Sequence, residues 1–180
     1  MNLLEAKNLY KSFGNINAVS DISISLNVGE VIGFLGPNGA GKSTTMKILT
    51  GFLEADSGSI EIKKIDLSKD PINAKSIIGY LPEGAPSYSD MTVKSFLYFV
   101  GKMRGLKDEL LEKRLEIMLK DINLTEVQNQ IIETLSKGYK RRVGIAQALI
   151  HDPDILILDE PTDGLDPNQK FEMRKLIKSI

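Results

Sequence analysis

The sequence predicts an α/β fold built around a phosphate-binding loop, and three observations carry that prediction. A compact apolar run, residues 31–35, leads straight into the glycine-rich stretch 36–41. Residues 43–50 then have the composition and spacing of a helix. A second apolar run, Ile155–Leu158, ends on the carboxylate pair Asp159-Glu160.

Taken in order, residues 3–9 and 22–28 read as short strands, the second alternating as Ile22, Ile24, Leu26 and Val28. Gly29-Glu30 supplies a turn, and 31–35 reads as a buried strand because its apolar residues do not alternate with polar ones. Gly51 follows the helix 43–50 and suits its C′ position. Asp56-Ser57-Gly58 signals a turn before the alternating strand 59–62, and 77–81 is a further apolar strand stopped by Pro82. From about 84 to 135 the chain becomes helical in character, with helices over 92–103 and Asp108–Asp121. The second places Leu111, Leu115, Met118 and Leu119 on one side. Its pairs Glu109/Lys113 and Glu116/Lys120 are each worth about 0.2–0.5 kcal/mol. A helix over 136–150 breaks at His151-Asp152-Pro153, and Pro167 opens a last helix. His151 reads as an ordinary surface residue in that turn.

Bulk composition narrows the function classes. The 180 residues are 42% hydrophobic and 26% charged, enough to fill the core of one domain or of a domain with a small lobe. A net charge of −1 offers no field for nucleic acid or an acidic membrane, so no nucleic-acid partner is expected. The sequence has no cysteine, which excludes disulfides and thiolate zinc sites. No apolar run approaches the roughly 18–20 residues that span a bilayer. Residues 1–11 also lack the pattern of a signal peptide. A soluble chain that reaches a membrane only through a partner is expected.

The string Gly36-Pro37-Asn38-Gly39-Ala40-Gly41-Lys42-Ser43-Thr44 matches G-x-x-x-x-G-K-[ST]. Glycines let backbone N–H groups turn inward around phosphate oxygens, where a Cβ would obstruct them. The following helix offers its N-terminal donors and partial positive charge to the same anion. Lys42 is expected to reach the β- and γ-phosphates, and the Ser43 hydroxyl to complete a magnesium shell. At the second apolar run, Asp159 is expected to hold magnesium, directly or through water. Glu160, alternating away from Asp159, is expected to polarise the attacking water as general base.

Further motifs bring a family into view. Leu135-Ser136-Lys137-Gly138-Tyr139 resembles the signature of ATP-binding-cassette (ABC) ATPases, usually L-S-G-G-Q. Asp159-Glu160-Pro161-Thr162-Asp163-Gly164-Leu165-Asp166 resembles their Walker B motif and D-loop. Phe13 aligns with the aromatic that stacks on adenine, and Ile78-Gly79-Tyr80-Leu81-Pro82-Glu83 resembles the Q-loop. These motifs stand in the family's order over nearly the whole chain. The resemblance is closest to the ATP-binding subunits of ABC-2-type exporters, including the gliding-motility type, in a C-terminally truncated form.

That resemblance implies a P-loop NTPase fold, a RecA-like ABC ATPase core with an antiparallel β subdomain and a helical subdomain. Residues 1–83 and 141–180 would form the core and its β subdomain, and 84–140 the helical lobe. It implies that Phe13 and Gly36 through Thr44 hold ATP. It also implies a head-to-tail dimer in which Ser136 and Gly138 of a second subunit close over that ATP. An ABC-2-type membrane permease would dock on the helical lobe, so that the chain sits cytoplasmically on the inner face of the membrane. Glu83 stands where most relatives have Gln, and its carboxylate is expected to meet magnesium or water. Lys137 and Tyr139 replace Gly and Gln, which points to tuning of the signature. The family's switch histidine lies beyond Ile180, as does a strand that would sit between the two apolar runs. Two other readings stand beside the exporter ATPase. One is a cassette that binds nucleotide without efficient hydrolysis, and the other is a soluble ABC protein unconnected with transport.

Overall fold

Strand β1 (Asn2–Phe13) folds back on β2 (Ile16–Asn27) through a turn at Gly14, whose φ of +56° suits a residue without a Cβ. In the computed structural model of the chain, residues 2–84 and 88–180 are described. They divide into two units, Met1–Ile78 and Gly79–Ile180.

In the first unit, β1 lies between β2 and β3 (Ser57–Ile62), and β4 (Ile65–Asp66) completes an antiparallel sheet of order β2-β1-β3-β4. Leu4 pairs with Leu26 on one side and Ile62 on the other, which fixes the register. The inward residues Leu4, Leu9, Ile60 and Ile62 are buried, together with Ile48 and Leu49 of α1 (Lys42–Leu49) and Ala74 of α2 (Pro71–Ser76). β1 runs beyond 9 and β2 begins well before 22, though it stops at Asn27, because bulges absorb the breaks in pattern. Asn8 and Asp21 take φ values of +48° and +54° there, and Asn8 Nδ2 donates to Asp21 Oδ1 at 2.8 Å.

Gly58 belongs to the edge of β3 rather than to a turn, and it meets the β1 bulge. Its φ is +104°, and a Cβ would stand 2.6 Å from the carbonyl oxygens of both Lys7 and Asn8. Gly58→Ala therefore forces backbone apart, and a loss of about 2 kcal/mol or more is expected. A thermal midpoint within a degree of wild type would show that the bulge gives way at no cost.

One expected strand is absent. Residues 31–35 form no strand, and Val31 and Leu35 are 95% and 96% exposed. Among the described residues no strand runs beside them, so their N–H and C=O groups have no ladder and keep to solvent. An apolar run gives the propensity for a buried strand; neighbours give the burial. The turn before it also shifts by one residue, since Glu30 N–H donates to Asn27 O around Val28-Gly29.

In the second unit, β5 (Ile78–Leu81) pairs with β6 (Ile155–Leu158). Helices α3 (Val93–Met103), α4 (Asp108–Asp121), α5 (Lys137–Leu149) and α6 (Pro167–Ser179) share one apolar core. Leu97, Leu111, Leu115, Ile145 and Met173 lie in it, and the expected stripe of α4 is buried as spaced. Each such side chain contributes about 1.5–3 kcal/mol through burial. The helix starts are capped as their sequences suggest. Thr92 accepts from Ser95 N–H, Ser136 from Tyr139 N–H, and Asp166 from Gln169 N–H, with Pro167 just inside. Arg114 of α4 donates to Leu149 O, Ile150 O and Asp152 Oδ1, which ties down the turn that delivers β6. His151 in that turn is half-buried rather than on the surface. No described helix is long and apolar enough to cross a membrane.

Candidate functional site

The glycine-rich loop runs exposed from Gly36 to Ala40 and then enters α1. Gly39 and Gly41 both have φ of +83°, and a Cβ on Gly41 would lie 2.1 Å from Ala18 O. Gly41 is the N-cap of α1, so no side chain satisfies the helix's first donors. Lys42 curls back over the loop, its Nζ donating to Gly36 O at 2.8 Å and Pro37 O at 2.9 Å. Ser43 and Thr44 are half-buried in the first turn, and Thr45 Oγ1 bonds Gly41 O behind them. At the far end, Gly51 and Phe52 N–H donate to Ile48 O and Lys47 O, closing the helix in a Schellman motif. The loop is therefore anchored at its back by α1 and β2 and open at its front.

A groove of about 710 Å³ runs along β2 past Ile32, Phe34 and Leu35 to Lys42 and Thr45. Gly36 through Gly39 do not line it. It lies behind the loop and exists because residues 31–35 stand off from the sheet. Phe13, at the end of β1, keeps its ring 50% exposed, with Lys11 Nζ 5.8 Å from its centroid. An exposed aromatic ring is able to stack on a flat ligand.

In the second unit, Asp159 N–H donates to Leu81 O at 2.9 Å, extending the β5–β6 ladder one residue past β6. The Asp159 residue is 1% exposed. Glu160 does not continue the pleat, contrary to the expected alternation. It turns out of the strand at φ +46°, immediately before Pro161, and its carbonyl accepts from Asp163 N–H. A non-glycine residue in this region costs about 1–2 kcal/mol, so the direction of the Glu160 side chain comes from a strained turn. Glu83 is exposed just beyond β5. On β5, next to Leu81, stands Tyr80, which the sequence motif alone did not single out. Its hydroxyl is buried, and burial first, then the charges of Asp159 and Glu83, push its pKa up to about 12. Its only sequence signal was its place in β5 three residues before Glu83.

The signature residues open α5. Ser136 caps it, Lys137 is exposed, and Gly138 is buried, where an added Cβ would sit 3.3–3.6 Å from the Gln169 side chain. No acid stands in this first turn, so its positive end is uncompensated. Among the described residues, no cluster of three or more His, Asp or Glu side chains forms a ready metal cage.

A glycine-opened loop that feeds an uncapped helix, with its lysine folded over it, defines a P-loop nucleotide-binding fold. The chain belongs to the ABC transporter family, whose profile matches residues 19–163. It is 41% identical over 178 residues to the linearmycin resistance ATP-binding protein LnrL of Bacillus subtilis, covering 99% of this chain and 57% of that protein. It is 36% identical over 183 residues to the lipopolysaccharide export system ATP-binding protein LptB of Haemophilus influenzae, covering 100% and 76%. A solved ATP-binding subunit of an ABC transporter superposes with a TM-score of 0.85 at 31% identity, covering 98% of this chain and 74% of that one. The chain spans 57% of LnrL and 59% of YxlF, an uncharacterised ABC transporter ATP-binding protein of the same bacterium.

Proposed function

We propose that this chain is the ATP-binding and ATP-hydrolysing part of an ABC exporter of the ABC-2 type. The observation that carries the reading is the start of α1, an uncapped helix end behind a loop of left-handed glycines, in a chain of the ABC transporter family. The likeness to proteins of linearmycin resistance and lipopolysaccharide export supports export as the work done.

Phe13 stacks on the adenine, and the backbone of Gly36 through Thr44 binds the phosphates with Lys42. Glu160 takes the proton of the attacking water. Ser136 and Gly138 close over ATP bound by a second copy in a head-to-tail dimer. Ser43 and Asp159, with Glu83, would hold magnesium. That ion keeps several waters and takes few protein oxygens besides phosphate, and hydroxyl and carboxylate oxygens are of the kind it takes. Held by these residues, magnesium would supply positive charge against the phosphates. Lys42, meanwhile, leaves Gly36 O and Pro37 O for phosphate.

Residues 1–83 and 141–180 serve as the nucleotide core, and 84–140 as the lobe that meets the permease. An exposed apolar group on α3 and in the segment before it supports that docking face. Tyr88 packs edge-on against Phe99 at 5.4 Å between ring centroids, and Met103 is 73% exposed one turn further on. The chain then works on the cytoplasmic face of the membrane, without a nucleic-acid partner. The full-length protein should hydrolyse ATP only with magnesium and dimerise when nucleotide is present. Magnesium-independent turnover, or a monomer at saturating nucleotide, would sink the reading.

A further inference from the structure

We propose that Tyr80 is a positioning residue for Asp159, its hydroxyl donating a hydrogen bond to that carboxylate, directly or through one water, when magnesium nucleotide is bound. The inference rests on the reading of Asp159 as the acid that holds magnesium. Three features of the second unit lead to it. Tyr80 lies next to Leu81, whose carbonyl takes the Asp159 N–H at 2.9 Å, so the two residues are fixed to the same stretch of ladder. The Tyr80 hydroxyl is buried and has no hydrogen-bond partner. The charged groups that act on it are the carboxylates of Asp159 and Glu83, both acceptors.

A buried hydroxyl without a partner is costly to keep, and phenylalanine would fill the same space without that cost. A phenol beside two acids remains protonated across the physiological range, so it is a permanent donor facing acceptors. Metal-binding side chains are commonly oriented by such a donor, which fixes the carboxylate's angle without touching the metal. Tyr80 does this from the neighbouring strand, where side-chain motion is limited by the ladder. Glu83, on the loop that follows, is a second charge that acts on the same hydroxyl.

The test uses the full-length protein and its Tyr80→Phe variant. Magnesium is titrated against a fluorescent, non-hydrolysable ATP analogue, and the analogue's affinity is measured separately without metal. Tyr80→Phe should raise the half-saturating magnesium concentration by about tenfold. Its metal-free nucleotide affinity should match wild type, and its melting temperature should not fall. An unchanged magnesium midpoint, above all with a raised melting temperature, overturns the proposal by showing that the hydroxyl was only an unsatisfied group. A loss of metal-free affinity in parallel with the magnesium shift overturns it too, since that is general distortion. Asp159→Asn separates the two levels. If it shifts the midpoint and Tyr80→Phe does not, the role of Tyr80 alone fails. If neither variant shifts it, the reading of Asp159 fails first.

Discussion

Glu160→Gln is expected to bind magnesium ATP nearly as wild type does while turnover falls by on the order of 10²–10⁴. The amide keeps the size of the carboxylate and the turn that aims it, but it cannot take a proton from water. Glu160 sits at φ +46° before Pro161, held by the Asp163 N–H bond to its carbonyl. Backbone strain of this kind persists only where the surroundings enforce it, and here it sets the direction of one side chain. The variant should therefore accumulate as a nucleotide-bound dimer, visible by size-exclusion chromatography with ATP and magnesium. Turnover within threefold of wild type would remove Glu160 from the role of general base. A variant that lost nucleotide binding as well would show that the carboxylate serves the ground state.

Lys42→Ala should act one step earlier. The ammonium would contribute charge-assisted bonds to phosphate worth about 1.5–3 kcal/mol, a roughly 10- to 150-fold weakening of nucleotide binding when lost. The ligand-free protein loses less, because the bonds from Nζ to Gly36 O and Pro37 O join a half-buried lysine to an exposed loop that water can solvate. Fluorescent-nucleotide titration and a melting curve read the two effects apart. An affinity equal to wild type would take Lys42 out of the phosphate site. A melting point lower by many degrees would instead make it a structural brace of the loop.

Local chemistry made much of this fold legible. Thr92, Ser136, Asp166 and Pro167 mark helix starts by hydrogen bonds that any sequence can advertise, and Gly51 marks an end in the same way. The buried stripe of α4 and the short strand β6 followed from periodicity and from length. Features set by neighbours were not legible. Residues 31–35 have the composition of a buried strand but, among the described residues, no strand beside them. The bulges at Asn8 and Asp21 carry β1 and β2 beyond their alternating centres. The path of Glu160 depends on a left-handed turn rather than on the pleat, and Tyr80 acquires its interest only from Asp159 on the adjoining strand. The motifs located the candidate site residues. Their orientation needed the third dimension.

The stretch Val31-Ile32-Gly33-Phe34-Leu35 has a consequence for the protein as a material. It carries no charge and no proline, it is rich in β-forming side chains, and its backbone is open to pairing. Such a segment is a template for any other extended chain, including the same segment of a neighbouring molecule. Wherever it stays uncovered, colloidal behaviour will be governed by these five residues more than by the net charge of −1, which is too small to hold molecules apart. Solubility and nucleotide binding thus meet at one point in the sequence, because the residue after this sticky run is the first glycine of the phosphate loop.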